Sequence, residues 1–163
     1  MTHPPRKTAI YLTMAAALML TILPLPEWAA PYRPEWLALV VLYWTMALPK
    51  VVNIASAWVL GIIMDLLTGS LLGQHALGLI VLSLITIHLH QQLRNFPIWQ
   101  QSLVIAIIIA IYLGLILWIE GLQGRAPDTW LYWAPVLSSL LLWPWIFVLL
   151  REIRRQYVTG SRH

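Results

Sequence analysis

The 163-residue chain has no cysteine and only 16 formally charged side chains, ten Lys or Arg and six Asp or Glu. Without cysteine there is no disulfide framework, no thiolate metal site and no cysteine nucleophile. The shortage of charge excludes more. Charged residues make up 10% of the chain, against ~25% in an ordinary soluble domain. A compact globule that faces water must cover its exterior with polar groups, and sixteen charges are too few. A water-soluble enzyme, a disordered tail and a free nucleic-acid-binding module are therefore set aside. Catalytic signatures are missing as well: no phosphate-binding loop, no His-Glu-x-x-His, no Gly-x-Ser-x-Gly and no paired acids on one face. The expectation is a non-enzymatic protein without cofactor or metal.

What the chain has in abundance is apolar sequence, at 60% of residues. Charge-free intervals run over 8–26, 36–49, 51–64, 66–93, 95–119 and 129–150. A bilayer core of ~30 Å takes about 20 helical residues. The run 66–93 is too long for one span, and Gly69, Ser70, Gly73 and Gln74 punctuate its start. The expected architecture is all-α, a single polytopic membrane domain over 1–163. Its six helices are expected near 8–24, 36–49, 51–67, 73–91, 98–120 and 130–151. Between the second and third, Pro49-Lys50-Val51-Val52-Asn53 predicts a tight turn that brings Lys50 to an interface; the rival is one tilted helix over 36–64. The first apolar run reads as a retained signal anchor, because Glu27 or Trp28 would stand at the −3 position of any Ala cleavage.

Charge placement predicts the topology. Arg6, Lys7, Lys50, Arg94, Arg151, Arg154, Arg155 and Arg162 fall on one side, and only Arg33 and Arg125 on the other. The positive-inside rule then puts both termini in the cytoplasm. The net charge of +4 is thus read as meeting anionic lipid headgroups rather than nucleic acid. Arg151, Arg154 and Arg155 continue the last helix and are candidate contacts for lipid or a cytoplasmic protein. Trp28, Trp36, Trp99, Trp118, Trp130 and Trp133 fall at expected helix ends. Trp44, Trp58, Trp143 and Trp145 lie deeper, where packing is the default explanation.

The most suggestive pattern is Asn53, Ala57, Gly61, Asp65, Gly69 and Gly73, each four residues from the last. Small residues at that period form one helix stripe on which a second backbone can approach closely. These six are the candidate helix-packing or partner contacts. Asp65 is the one acid inside an apolar stretch, and intramembrane acids are functional candidates; an interfacial position in the last turn of its helix is the plainer alternative. His88 and His90 are two apart, so on a helix they point to different sides and cannot share a metal. His75 stands ten residues from Asp65, with no serine or second acid arranged beside them.

Several segments carry a family resemblance: Arg33-Pro34-Glu35-Trp36, Leu42-Tyr43-Trp44, Ala47-Leu48-Pro49 and Val52-Asn53. The Gly61/Asp65/Gly69/Gly73 stripe, Trp99-Gln100-Gln101 and Leu142-Trp143-Pro144-Trp145-Ile146-Phe147 followed by Arg151 continue it. Together, in this order over about residues 33–155, they resemble the rod shape-determining protein MreD family. The resemblance implies a bacterial inner-membrane scaffold of lateral cell-wall growth. It would work with the single-span protein MreC, the MreB filament, a RodA-like glycosyltransferase and a class B penicillin-binding protein. It implies no catalytic residue. It also implies a likeness to the six-helix substrate-binding subunits of energy-coupling-factor transporters, which makes a vitamin-binding transport subunit the alternative function. The Ala-x-x-x-Ala docking pattern of those subunits is missing from the first helix.

Overall fold

The computed structural model describes residues 7–158. Arg6 and Arg162, which enter the charge count, lie outside the described residues. Among the described residues there are six α-helices and no strand: α1 Lys7–Ile22, α2 Trp36–Ala47, α3 Ile54–Thr68, α4 Gln74–Asn95, α5 Ile98–Leu122 and α6 Ala134–Ile153. Short 3-10 turns at Ala30–Tyr32 and Trp130–Trp133 precede α2 and α6, and one π-helical turn, Arg154–Val158, extends α6.

The helix ends follow from local chemistry. The Asn53 side chain accepts from the backbone N–H of Ala55 (3.1 Å) and Ser56 (3.4 Å), which starts α3. Asn53 is therefore the cap of the helix rather than a member of its packing stripe. Gly69 (φ +69°) ends α3 and Gly73 (φ +100°) begins α4, both in the left-handed region that favours glycine. Pro97 separates α4 from α5. The expected break between α2 and α3 is present: the N–H groups of Val51 and Val52 both return to the Leu48 carbonyl at 3.0 Å. A single helix over 36–64 is ruled out. Although consecutive, α2 and α3 pack on α4 far more than on each other.

Three helical segments are long and apolar enough to cross a bilayer: Gln74–Asn95, Ile98–Leu122 and Trp130–Gln156. The first three helices are shorter, at 16, 12 and 15 residues. At ~1.5 Å per residue, α2 is only about 18 Å long. It is also enclosed by protein, since every residue from Leu37 to Ala47 is buried. A helix that is apolar all round belongs in such a core. The hydroxyls that the apolar helices carry are mostly returned to their own backbone, as in Thr13 to Ile10 (2.7 Å), Thr68 to Met64 (2.8 Å) and Thr86 to Leu82 (2.8 Å). That satisfies them where no water is at hand.

The deeper tryptophans divide. Trp44 and Trp143 are fully buried, and the Trp44 indole donates to Thr13 Oγ1 at 2.9 Å, tying α2 to α1. Trp58 and Trp145 correct the packing expectation. They are 52% and 75% exposed on the outer face of the bundle, because their helix positions point away from the core that α2 fills.

At the end of the bundle that carries Lys7, Lys50 and Arg94, a buried polar network joins three helices. Trp143 Nε1 donates to Gln101 Oε1 (2.9 Å), and Gln101 Nε2 donates to the Leu93 carbonyl (2.9 Å). At the opposite end, Arg33 donates to the carbonyls of Thr21 and Leu23, closing the C-terminus of α1. The backbone N–H of Glu35 donates to Ser139 Oγ at 3.3 Å, joining the start of α2 to α6.

Candidate functional site

Of the six residues at the four-residue period, Ala57, Gly61 and Asp65 lie on α3, Asn53 and Gly69 flank that helix, and Gly73 precedes α4. Ala57 is fully buried. At Gly61 the two backbones meet so closely that an added Cβ would stand 2.2 Å from Ala76 Cα and 2.5 Å from Ala76 N. The small-residue face is thus occupied, at Gly61, by a helix of the same chain. Gly69 and Gly73 differ: an added Cβ at either would meet nothing within 4 Å.

One turn beyond Gly61 sits Asp65, 1% exposed. The five residues Gly69–Gly73 fold the start of α4 back over the last turn of α3, and four donors converge on its carboxylate. Gly73 N donates to Oδ2 at 2.8 Å; His75 N donates to Oδ1 at 2.9 Å. Ser70 Oγ donates to Oδ1 at 2.9 Å, and His75 Nδ1 stands 2.7 Å from the same oxygen. Asp65 therefore caps the N-terminus of α4 from a neighbouring helix, where orphan N–H groups and the helix dipole favour an acceptor. It is neither a surface acid nor an unsatisfied one.

Ser70 corrects the expectation that no serine accompanies Asp65 and His75. Its Oγ lies 3.2 Å from His75 Nδ1 and 3.0 Å from Thr68 Oγ1. The three residue types of a hydrolytic triad are together, but the geometry is wrong for the reaction. A triad needs serine on one imidazole nitrogen and the acid on the other, so that the ring can pass a proton between them. Here both partners share Nδ1. The cluster can hold two helices together; it cannot activate a nucleophile.

A second polar layer continues across α4 and α5. Gln74 Nε2 donates to Glu120 Oε1 (3.2 Å), Gln123 Nε2 donates to Gln74 Oε1 (3.4 Å), and Arg125 donates to Gln123. Beside it lies an open groove of about 450 Å³, lined mainly by apolar side chains including Trp58, Leu72, Leu77 and Ile80, with Gly73 in its wall. Glu35, in the loop before α2, is half-buried; burial pushes its carboxyl up from 4.5 to about 7 against the opposing pull of Arg33.

The remaining candidates lie elsewhere. Arg151 and Arg155 are exposed and Arg154 half-buried at the far end of α6, remote from Asp65. His88 is exposed, while His90 Nδ1 lies 2.6 Å from the Ile87 carbonyl of its own helix. Among the described residues no three His, Cys, Asp or Glu side chains are grouped to hold a metal. Sequence reasoning missed Ser70 and His75 as partners of Asp65. The available signal was Gly69 and Gly73, which mark a turn short enough to bring positions 65, 70 and 75 together.

The family model described as rod shape-determining protein MreD matches residues 7–153. That interval takes in all six helices. The chain is 39% identical over 140 residues to "Rod shape-determining protein MreD" of Haemophilus influenzae (strain ATCC 51907 / DSM 11121 / KW20 / Rd), covering 86% of each chain. No solved structure matches the chain significantly.

Proposed function

Because the chain belongs to the MreD family of rod shape-determining proteins, which are not enzymes, we propose that it is a scaffold of the bacterial inner membrane in the machinery of lateral cell-wall growth. Its work is to hold an MreC-like single-span partner within the bilayer. MreB, a RodA-like glycosyltransferase and a class B penicillin-binding protein belong to the same proposed assembly. The observation that carries the docking reading is the groove beside the α3–α4 seam. Gly61 is already covered by α4, but Gly73 is open and stands in the groove wall. A glycine there lets a second helix approach closely, and Trp58, Leu72 and Leu77 supply apolar contact. The Asp65 cluster supports this reading because it makes the seam beside the groove rigid.

The same proposal places both termini in the cytoplasm, on the strength of eight basic residues against two. It also keeps the helix arrangement similar to the substrate-binding subunits of energy-coupling-factor transporters. The test is to deplete the chain in its own cells. Rod shape should be lost and restored by re-expression, and the MreC-like protein should co-purify with the wild type. Groove variants Leu72→Asn and Leu77→Asn should insert normally but lose that partner. Rod-shaped growth without the chain, or undiminished co-purification of both variants, would refute the proposal.

A further inference from the structure

Two flanks of the bundle offer the bilayer different apolar lengths. Three contacts fix how α4 and α5 stand against each other. Gln74 Nε2 donates to Glu120 Oε1 (3.2 Å) at one end, and Gln101 Nε2 donates to the Leu93 carbonyl (2.9 Å) near the other. Between them, a Cβ added at Gly78 would stand 3.6 Å from Ile116 Cγ1. All three pairs obey one antiparallel register. By that register His88 is level with Ala106, and Leu84 with Ala110.

At these shared depths the exposed faces differ. On α5, Leu103 and Ile107 are 49% and 60% exposed. The apolar run of α5 is bounded by Trp99 and Glu120, 21 positions and about 31 Å apart. That matches a bilayer core of ~30 Å. On α4, at the depth of Leu103 and Ile107, the exposed residues are His88, Gln91 and Gln92. Its apolar length, from Gln74 to His88, is 14 positions or about 21 Å. The neighbouring helix agrees independently: α3 has 15 residues, about 22 Å, and begins at the exposed cap Asn53. Because Gly61 meets Ala76, the start of α3 at Ile54 falls near the level of Ser83, well short of the end of α4 at Asn95.

A rigid tilt does not remove this difference, because the Gln74–Glu120 bond already sets α4 and α5 level at the far end. Nor can the side chains reach past it. Snorkelling belongs to long side chains such as Lys and Arg, whereas the gap from His88 to the level of Trp99 is seven positions, about 10 Å. Polar groups left in hydrocarbon are costly, and a surface too short for the bilayer is accommodated by thinning it. We infer that the α3–α4 flank thins the leaflet at the basic end of the bundle by about 10 Å, while lipid beside α5 keeps its full thickness. The surface fits short or disordered acyl chains whose headgroups sink to His88 and Asn53. This inference rests on the proposed six-crossing topology and is independent of the partner groove.

The test uses the full-length protein in dioleoylphosphatidylcholine vesicles. Since the sequence has no cysteine, Leu84→Cys on α4 and Ile111→Cys on α5 can each carry a nitroxide and leave the polar residues in place. The two positions are 48% and 46% exposed and lie within one residue of the same level. Collision of the nitroxide with oxygen, which partitions into lipid, and with a water-soluble nickel chelate reports its depth. The Leu84 label should lie about 10 Å nearer to water than the Ile111 label. Dimyristoleoylphosphatidylcholine, which forms a thinner bilayer throughout, should narrow the difference. Replacing His88, Gln91 and Gln92 together by Leu should sink the Leu84 label towards the depth of the Ile111 label, whose unchanged reading shows that the bundle is intact. Equal depths in the wild-type background would overturn the inference. So would a Leu84 label shielded from both reagents, which would mean that a second copy covers the flank. Failure of the topology beneath it would be seen separately, as a Lys50→Cys label reached only from outside.

Discussion

The contact at Gly61 gives the sharpest quantitative prediction. In Gly61→Ala the new methyl carbon would lie 2.2 Å from Ala76 Cα, 2.5 Å from Ala76 N and 2.9 Å from the His75 carbonyl carbon. All three atoms are backbone, so no rotamer change relieves the overlap. Restoring ordinary carbon contact requires α3 and α4 to part by roughly 1 Å, which forfeits up to about half of the dispersion energy along the seam. Overpacking of this kind costs typically ~1–3 kcal/mol. The same movement draws Asp65, four residues on, away from α4. Its bonds to Gly73 N, His75 N and His75 Nδ1, now 2.7–2.9 Å, would lengthen beyond useful range. Hydrogen bonds to a charged group contribute ~1.5–3 kcal/mol each. A total loss of about 3 kcal/mol follows even if only one such bond is given up. Gly114→Ala is the control, because its Cβ would meet only Trp133 at 3.6 Å. Removing glycine from a helix interior there gains up to ~1 kcal/mol. Thermal unfolding of the purified proteins in one detergent should show Gly61→Ala melting on the order of 10 °C lower, by the usual conversion for a chain of this size. Gly114→Ala should melt at or above wild type. Equal melting of the two variants would refute the reasoning.

Three further predictions follow from other parts of the molecule. Folding raises the Glu35 carboxyl from 4.5 to about 7, so its contribution to stability is fully present below pH 4.5 and is lost as pH rises through about 7. Melting temperature should accordingly fall between pH 5 and 8, with a shallower fall in Glu35→Gln; an unchanged slope in that variant would exclude Glu35 as the cause. Trp143→Phe removes the donor to Gln101 Oε1 and leaves a buried acceptor unpaired, for a loss of at least ~1–3 kcal/mol. Unaltered thermal or denaturant unfolding of that variant would contradict the network. Finally, the cysteine-free sequence allows Lys50→Cys to be labelled cleanly in intact cells and inverted vesicles. Modification from the cytoplasmic side is expected, and modification only from outside would reverse the proposed topology.

The helices were legible because their limits are written in strong local signals. Charge interrupts the apolar runs, Pro97 separates α4 from α5, and Gly69 and Gly73 punctuate the run that no single span could contain. The turn after Pro49 was legible for the same reason, a lysine that resists burial beside a proline that resists helix. What periodicity does not carry is which helix stands in the middle. Apolar side chains face lipid as readily as core, so nothing local distinguishes the enclosed Trp44 from the exposed Trp58 and Trp145. The stripe was recognised as a packing face, but the sequence does not say whether the second backbone comes from the same chain. At Gly61 it does. The Asp65 cluster was missed because it forms across a reversal of the chain: three polar residues at intervals of five share no helix face and meet only when Gly69–Gly73 turns back.

The central claim is that the chain scaffolds cell-wall growth by holding a partner's membrane helix in the groove beside α3 and α4. Photo-crosslinking in living cells tests this most directly, with the reactive residue placed at Leu72 or Leu77 in the groove and at Ile107 on the exposed face of α5. The account predicts a covalent adduct with the MreC-like partner from positions 72 and 77 and none from 107. An adduct from position 107 with none from the groove would contradict it.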